Sequence, residues 1–258
     1  MIDFQASKVY DLGQPYYVGM PHHPVHPPYL FGLVKAHGEA VLENGASSAS
    51  EALTLGGHVG THIDALAHFS CDGKLHGGKT PTQTYGGGIS EYAVDTIAPI
   101  FRPGVLLDIA GLQGVDALPQ DFMITPDHLA ACGVEPPPGG VALIRTGWAQ
   151  YWNDAKQFIT GGRGAIVRGP GPAAAAARWL SERGIFAAGS DTVAFELVPS
   201  QMEVHVHLLV EKGIHIIECL NLEYLARDRV GEFTFVALPL KIRGGTGSPI
   251  RPVALVSS

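Results

Sequence analysis

The stretch Gly57-His58-Val59-Gly60-Thr61-His62-Ile63-Asp64-Ala65-Leu66-Ala67-His68-Phe69 restricts the folding of this chain more than any other. His58, Gly60, His62 and Asp64 fall at alternate positions, with Val59, Thr61 and Ile63 between them. Residues two apart share one face of an extended strand, and β-branched side chains favour that state. The pattern predicts a strand with one packed apolar face and a second face offering His, Gly, His and Asp. Two imidazoles and a carboxylate, without thiolate, suit a borderline divalent ion such as Zn²⁺ or Mn²⁺. Gly60 is expected to leave room for that ion between the imidazoles. A helix would instead place His58 and His62 at i and i+4, as in many metalloproteases. The glycines at 56, 57 and 60 disfavour it, and Asp64 would then lie about 200° around the axis from His62. The alternative for any one of these histidines is a plain hydrogen bond in the core.

His68 lies four residues beyond Asp64, where the strand should be ending. An imidazole just past a metal site is placed to shuttle protons; a further ligand or a structural histidine is the alternative. A second polar pair sits late in the chain. On a helix over 202–212, at 100° per residue, Met202, Val206, Leu209 and Val210 form an apolar arc. His205 falls at the edge of that arc and is expected to point inward. His207 falls between Glu203 and Glu211 and is expected to face solvent. Glu218 closes the apolar run Ile216-Ile217. A buried acid is costly unless it is paired or binds metal, so His205 and Glu218 form an inward His/Glu pair. A buried hydrogen bond or salt bridge is the other reading of Glu218. His215 is expected on the opposite strand face.

The remaining elements interleave. Residues 8–12, 105–109, 141–145, 185–190, 214–219, 232–240 and 253–256 read as strands. Residues 125–132, 172–183 and 203–212 read as helices stopped by Gly133, Gly184 and Gly213. That alternation argues a mixed α/β or α+β fold. Residues 20–28, rich in proline, and the glycine-rich 160–172 read as loops, and 29–50 is ambiguous. No composition break divides the 258 residues, which predicts a single domain over 1–258.

Lys plus Arg number 17 against 24 Asp plus Glu, a net charge of −7 without basic runs, which argues against a nucleic-acid or anionic-membrane partner. Charged residues make up only 16% of the chain, which suggests burial in an oligomer. The three cysteines are odd in number and widely spaced, so they suggest neither a disulfide framework nor a thiolate site. The N-terminus lacks the regions of a signal peptide, and no apolar run is long enough to span a bilayer. A cytoplasmic location is the expectation.

His58-Val59-Gly60-Thr61-His62-Ile63-Asp64 followed by His68 resembles the HxGTHxDxxxH signature of the cyclase family, which includes bacterial kynurenine formamidases and isatin hydrolases. Further segments are similar in order along nearly the whole chain. They are Asp11-Leu12 with Gly19-Met20-Pro21, Ile144 to Trp148, Gly189 to Thr192, and Val204-His205 with Ile216-Ile217-Glu218. The resemblance implies a swivelling β/β/α fold, a homodimer or homotetramer, and an N-terminal segment of about 1–54 lining the pocket or a subunit interface. It implies a catalytic metal on His58, His62 and Asp64, proton transfer by His68, and a contribution of His205 and Glu218 to a second metal. One or two ions per subunit are thus expected. Ala65 and Ala67 stand where many relatives carry a proline.

Together these readings predict a metal-dependent hydrolase of a small-molecule amide, either a cyclic amide or an N-formyl aryl amine. A lactonase and a non-catalytic metal-binding protein are the alternatives. Bound zinc brings the pKa of water from 15.7 toward ~7. No Gly-x-Ser-x-Gly is present to suggest a serine hydrolase. Tyr16, Tyr17, Met20, Tyr29, Phe31 and Leu33 flank the proline-rich loop and are candidates to cover a planar substrate; packing of the N-terminal segment against a neighbouring subunit is the alternative. His22, His23 and His26 are expected to be exposed loop residues. Arg163 and Arg168 are candidates for a substrate carboxylate, with a surface position as the default.

Overall fold

Val141 to Arg145 is buried at every position, as expected of a parallel strand covered on both faces. It lies at the middle of the fold. The computed structural model describes residues 7–257. Its principal strands are β1 (Ser7–Asp11), β2 (Leu30–Lys35), β3 (Ser50–Thr54), β4 (His62–Asp64), β5 (Ile100–Asp108) and β6 (Val141–Arg145). They continue with β7 (Ala187–Ser190), β8 (His215–Glu218), β9 (Glu232–Ala237), β10 (Gly247–Pro249) and β11 (Val253–Ser257). Nine of these form one sheet in the order β1-β11-β9-β5-β6-β7-β8-β4-β10. The central run β5-β6-β7-β8 is parallel, and every pairing outside it is antiparallel. The mixed α+β architecture expected from the alternating elements is the one observed.

Strand alternation divides the core. Leu107, Ala142, Ile144, Ala188 and Ile216 face one side, where three helices cover them. These are α1 (Pro126–Ala131), α2 (Ala174–Glu182) and α3 (Glu203–His205), the last running on as a π-helix over Val206–Lys212. Leu129, Leu180 and Leu208 are their anchors, each fully buried. Leu106, Val141, Leu143, Ala187 and Ile217 face the other side and meet Leu12, Leu222, Leu225, Phe235 and Ala254. A third cluster, including Met20, Val59, Trp152, Phe158, Val193 and Cys219, holds the N-terminal segment against the loop before β4. Trp152 Nε1 donates to the Pro15 carbonyl at 2.9 Å, and the Tyr17 hydroxyl donates to the Trp152 carbonyl at 2.8 Å.

Three segments depart from the sequence expectations. The strand read as 105–109 spans Ile100–Asp108, because the Arg102-Pro103-Gly104 punctuation is absorbed by antiparallel pairing with β9, where Pro103 sits opposite Thr234. The ambiguous 29–50 region supplies the β2–β3 hairpin, which is largely exposed. Gly247–Pro249 was not expected as a strand and forms the sheet edge beside β4. Among the described residues, no helix is long and apolar enough to cross a membrane.

Position in this fold should decide the cost of truncation. Leu208→Ala, beneath the sheet, is expected to lose about 2–5 kcal/mol of stability in urea denaturation. Leu53→Ala on the hairpin, 55% exposed, should stay within about 0.5 kcal/mol.

Candidate metal centre

Where the parallel and antiparallel parts of the sheet meet, β8 pairs with β4 so that Glu218 lies directly opposite His62 and Ile216 opposite Asp64. Side chains at directly opposed positions stand on the same face. The register alone therefore brings His62 and Glu218 together across more than 150 residues of sequence. His205 arrives from α3, ten residues before the start of β8.

His58 reaches the same place from outside the strand. Only His62–Asp64 is extended; residues 58–61 form a turn, with Gly60 at φ +66°. The expected four-residue ligand face is thus corrected to a turn plus a three-residue strand. The role expected of Gly60 is corrected too. A Cβ there would lie 2.4 Å from the Tyr16 ring, so the glycine admits Tyr16 and leaves no space for an ion. The Tyr16 hydroxyl donates to the carbonyls of Val59 (2.8 Å) and Thr61 (2.9 Å). Thr61 Oγ1 donates to the Cys219 carbonyl at 2.7 Å and accepts from Gln14 N at 2.8 Å. The turn is thereby tied to the N-terminal segment and to the end of β8. Gly247 completes the fit, since a Cβ on it would stand 2.5 Å from the His58 ring.

The polar atoms then converge. His58 Nδ1 donates to Asp64 Oδ1 at 2.6 Å, and His58 Nε2 lies 2.9 Å from Thr246 Oγ1. His62 Nδ1 donates to the Gly60 carbonyl at 2.8 Å, which turns Nε2 toward the two carboxylates. That buried Nε2 has no hydrogen-bond partner. It stands 3.4 Å from Asp64 Oδ1 and 3.5 Å from Glu218 Oε2. His205 lies between two acids, with Nδ1 3.2 Å from Glu196 Oε1 and Nε2 3.2 Å from Glu218 Oε1. Glu196 also accepts from Val204 N, and Glu218 from Phe195 N.

These residues fit a divalent ion on two counts. Donors bound at about 2.1 Å to one tetrahedral ion stand roughly 3.4 Å apart, which is the spacing around the orphaned His62 nitrogen. Three buried carboxylates, Asp64, Glu196 and Glu218, have only imidazoles as ion-pair partners, with no lysine or arginine pairing them among the described residues. The imidazoles carry the consequence. Burial opposes charge on His205, but its hydrogen bonds to Glu196 and Glu218 outweigh that and raise its pKa to about 10. His62 is also raised against burial, by Asp64 and Glu218. Two overlapping sets can hold an ion: His58, His62 and Asp64, and Asp64, His205 and Glu218. Asp64 belongs to both.

His68 lies outside both sets. Its ring stacks on His58 with centroids 3.8 Å apart, and it lines a cavity of about 260 Å³ that opens beside the ligands. Burial pushes its pKa down to about 3, so it is neutral at pH 7. The same cavity is lined by His23 and His26, which corrects the expectation that the loop histidines are exposed. Both are half-buried, and His26 lies over His58 at 5.0 Å. Their signal in the sequence is the Pro-His-His-Pro-Val-His-Pro-Pro run itself; the extended loop its prolines suggest is corrected to a turn, closed by His26 N donating to the His23 carbonyl at 3.0 Å, which brings both rings to the cavity.

His207 is corrected as well. It is buried, with Nδ1 2.7 Å from Glu211 Oε2 and Nε2 2.9 Å from Ser181 Oγ of α2. The 100° wheel fails because Val206–Lys212 is a π-helix, whose wider turn advances each residue less. His205 lies before that change and points inward as expected. His215 faces the other side of the sheet as expected, where its Nδ1 donates to the Asp64 carbonyl at 2.9 Å. Arg163 and Arg168 line a separate cavity with Gln120. Phe31 and Leu33 are exposed on the hairpin, whereas Tyr16, Tyr17, Met20 and Tyr29 pack in the third cluster. Glu196 and Thr246 are the contacts that sequence reasoning missed. Glu196 interrupts the apolar run Val193 to Val198, and a lone acid in such a run is a signal of the kind that marked Glu218. Thr246 carries no comparable mark.

The chain is similar to known proteins along most of its length. The family model described as “Putative cyclase” matches residues 10–197. Kynurenine formamidase from Bacillus mycoides (strain KBAB4) is 28% identical over 212 residues, 82% of each chain. That from Bacillus anthracis is 27% identical over 250 residues, 96% of this chain and 98% of the relative. Among solved structures, one described as a novel cyclase superposes with a TM-score of 0.87 at 26% identity, covering 97% of this chain and 89% of that one. Isatin hydrolase A from Ralstonia solanacearum gives 0.76 at 27% identity, covering 97% and 92%.

Two outcomes follow from the geometry. In metal-free protein, His205 is protonated in the folded state up to about pH 10 but in the unfolded chain only to about 6.5. Its stabilising contribution is therefore lost as pH rises through that window. His68, at about 3, works the other way: the unfolded chain takes up its proton first, and stability is lost as pH falls below about 6.5. Denaturation of chelator-treated protein should show greatest stability near pH 6–7. His207→Ala should lower stability by about 0.5–2 kcal/mol, through its lost contacts to Ser181 and Glu211, and leave metal content unchanged by elemental analysis.

Proposed function

We propose that this chain, which belongs to the cyclase family and is a metal-dependent amidohydrolase of C–N bonds other than peptide bonds, holds its catalytic ion on His58, His62 and Asp64. His205 and Glu218 complete a second site through the shared Asp64. The bond cleaved is that of a cyclic amide or an N-formyl aryl amine, the substrate types suggested by the names of the formamidase and isatin hydrolase relatives. The observation that carries the ligand assignment is the buried, unpartnered Nε2 of His62 facing Asp64 and Glu218. Zn²⁺ and Mn²⁺ both suit this nitrogen and oxygen donor set. The whole chain acts as one domain, in cytoplasm, as a homodimer or homotetramer.

A divalent ion there supplies Lewis acidity, which polarises the amide carbonyl and lowers the pKa of water toward ~7. The protein's own groups do the rest. The Gly60 carbonyl fixes the tautomer of His62, so that its Nε2 lone pair points at the ion site. Glu196 holds His205 in place from behind. His68, neutral and inside the cavity, accepts the proton of the attacking water and returns it to the leaving nitrogen.

His205 must lose a proton to become a ligand, so protons compete with the ion. Calorimetric titration should show proton release on binding and an affinity that rises with pH between 6 and 8. An affinity independent of pH would remove His205 from the ligand set.

Variants separate the roles. His62→Ala should lose bound metal and activity together. His68→Ala should keep both metal and fold, and lose about 10²–10⁴-fold in kcat. The working assay is a panel of formanilides, lactams and lactones with Zn²⁺ or Mn²⁺ supplied. Loss of metal in proportion to activity in His68→Ala would make that residue a ligand instead.

A further inference from the structure

The cavity beside the centre is polar only at its inner end and where His23 and His26 cover it. Val25, Phe69, Val193, Ala194, Val198 and Met202 make its walls, and its polar lining is five imidazoles and Glu218. Among the described residues no lysine or arginine lines it, and its one carboxylate belongs to the candidate metal centre. The Phe69 ring stands edge-on to His68 at 4.9 Å and 5.0 Å from His205. An aromatic wall thus lies immediately beside the ligands, and an aromatic ring favours a flat ring as its neighbour.

From this lining we infer that the substrate is a flat, uncharged amide, and that amides bearing an ionised carboxylate or a zwitterionic amino-acid side chain are excluded. The inference rests on the amidohydrolase site proposed above and narrows it. An ionised carboxylate pushed against these walls loses its water and meets no lysine or arginine among the described residues, while the charge of a bound ion is already answered by Asp64 and Glu218. The ammonium of a zwitterion meets the same walls, and Glu218 cannot answer it while engaged by His62 and His205. A neutral aryl ring meets only complementary surface. The relatives' kynurenine-type substrate carries an amino-acid group, and this cavity has nothing built to receive one.

Matched pairs isolate charge from size. The neutral 4-methylformanilide is set against 4-formamidobenzoate, and 5-methylisatin against isatin-5-carboxylate, with N-formylkynurenine as the zwitterion. Metal-loaded full-length protein is used throughout. The neutral member of whichever series is hydrolysed should exceed its charged partner roughly 100-fold in kcat/KM. N-formylkynurenine should fall at least as far behind. Val25→Arg, which places a cation at the exposed mouth of the cavity, should raise the charged-to-neutral ratio about tenfold. Charged and neutral members turned over within about threefold of each other would overturn the inference while leaving the amidohydrolase site standing. An unchanged ratio in a folded Val25→Arg protein would also overturn it. Turnover of no member of either series by metal-loaded protein would sink the proposed site and this inference together.

Discussion

The carboxylate of Asp64 is the group on which the rest of this structure depends. It is buried on a three-residue strand, is hydrogen-bonded by His58, and is shared between two sets of ligating atoms. Glu218 and Glu196 add two more buried acids within reach of the same imidazoles. So much negative charge without a lysine or arginine is unfavourable inside a protein unless protons or a metal ion balance it. In the metal-free chain these acids raise the pKa of His205 to about 10, and that of His62 above its ordinary value, against the effect of burial.

The scaffold meets the geometric demand with short, fixed devices. Antiparallel register sets His62 against Glu218. A left-handed glycine lets Tyr16 press into the turn that carries His58, and Thr61 ties that turn to Cys219 and Gln14. The parallel half of the sheet, buried on both faces, gives these contacts a rigid base. The catalytic candidates then sit on element ends and on the loop above, where a turn in the His-rich segment brings His23 and His26 to the cavity.

Much of this could be read from the residues, and what could not has identifiable causes. The spacing from His58 to Asp64 picked out polar residues that the structure brings together, although His58 joins them through a turn and not by strand alternation. It did not disclose the turn at Gly60, since a glycine required by a ring 44 residues upstream looks the same as one required by an ion. The helix wheel placed His205 and misplaced His207, because a π-helix has no mark in composition. Glu196 was missed because its partner, His205, is visible only in three dimensions. The loop histidines read as exposed because a proline-rich run reads as loop, and that says nothing about what the chain lies against.

The direct test of the central claim is anomalous X-ray diffraction from crystals grown with Zn²⁺ or Mn²⁺, recorded on either side of the metal edge. The account predicts the strongest anomalous peak within about 2.0–2.2 Å of His62 Nε2 and an Asp64 oxygen, with any second peak between Asp64, His205 and Glu218. A map with no peak there, and His62 Nε2 hydrogen-bonded to ordinary water, would contradict it.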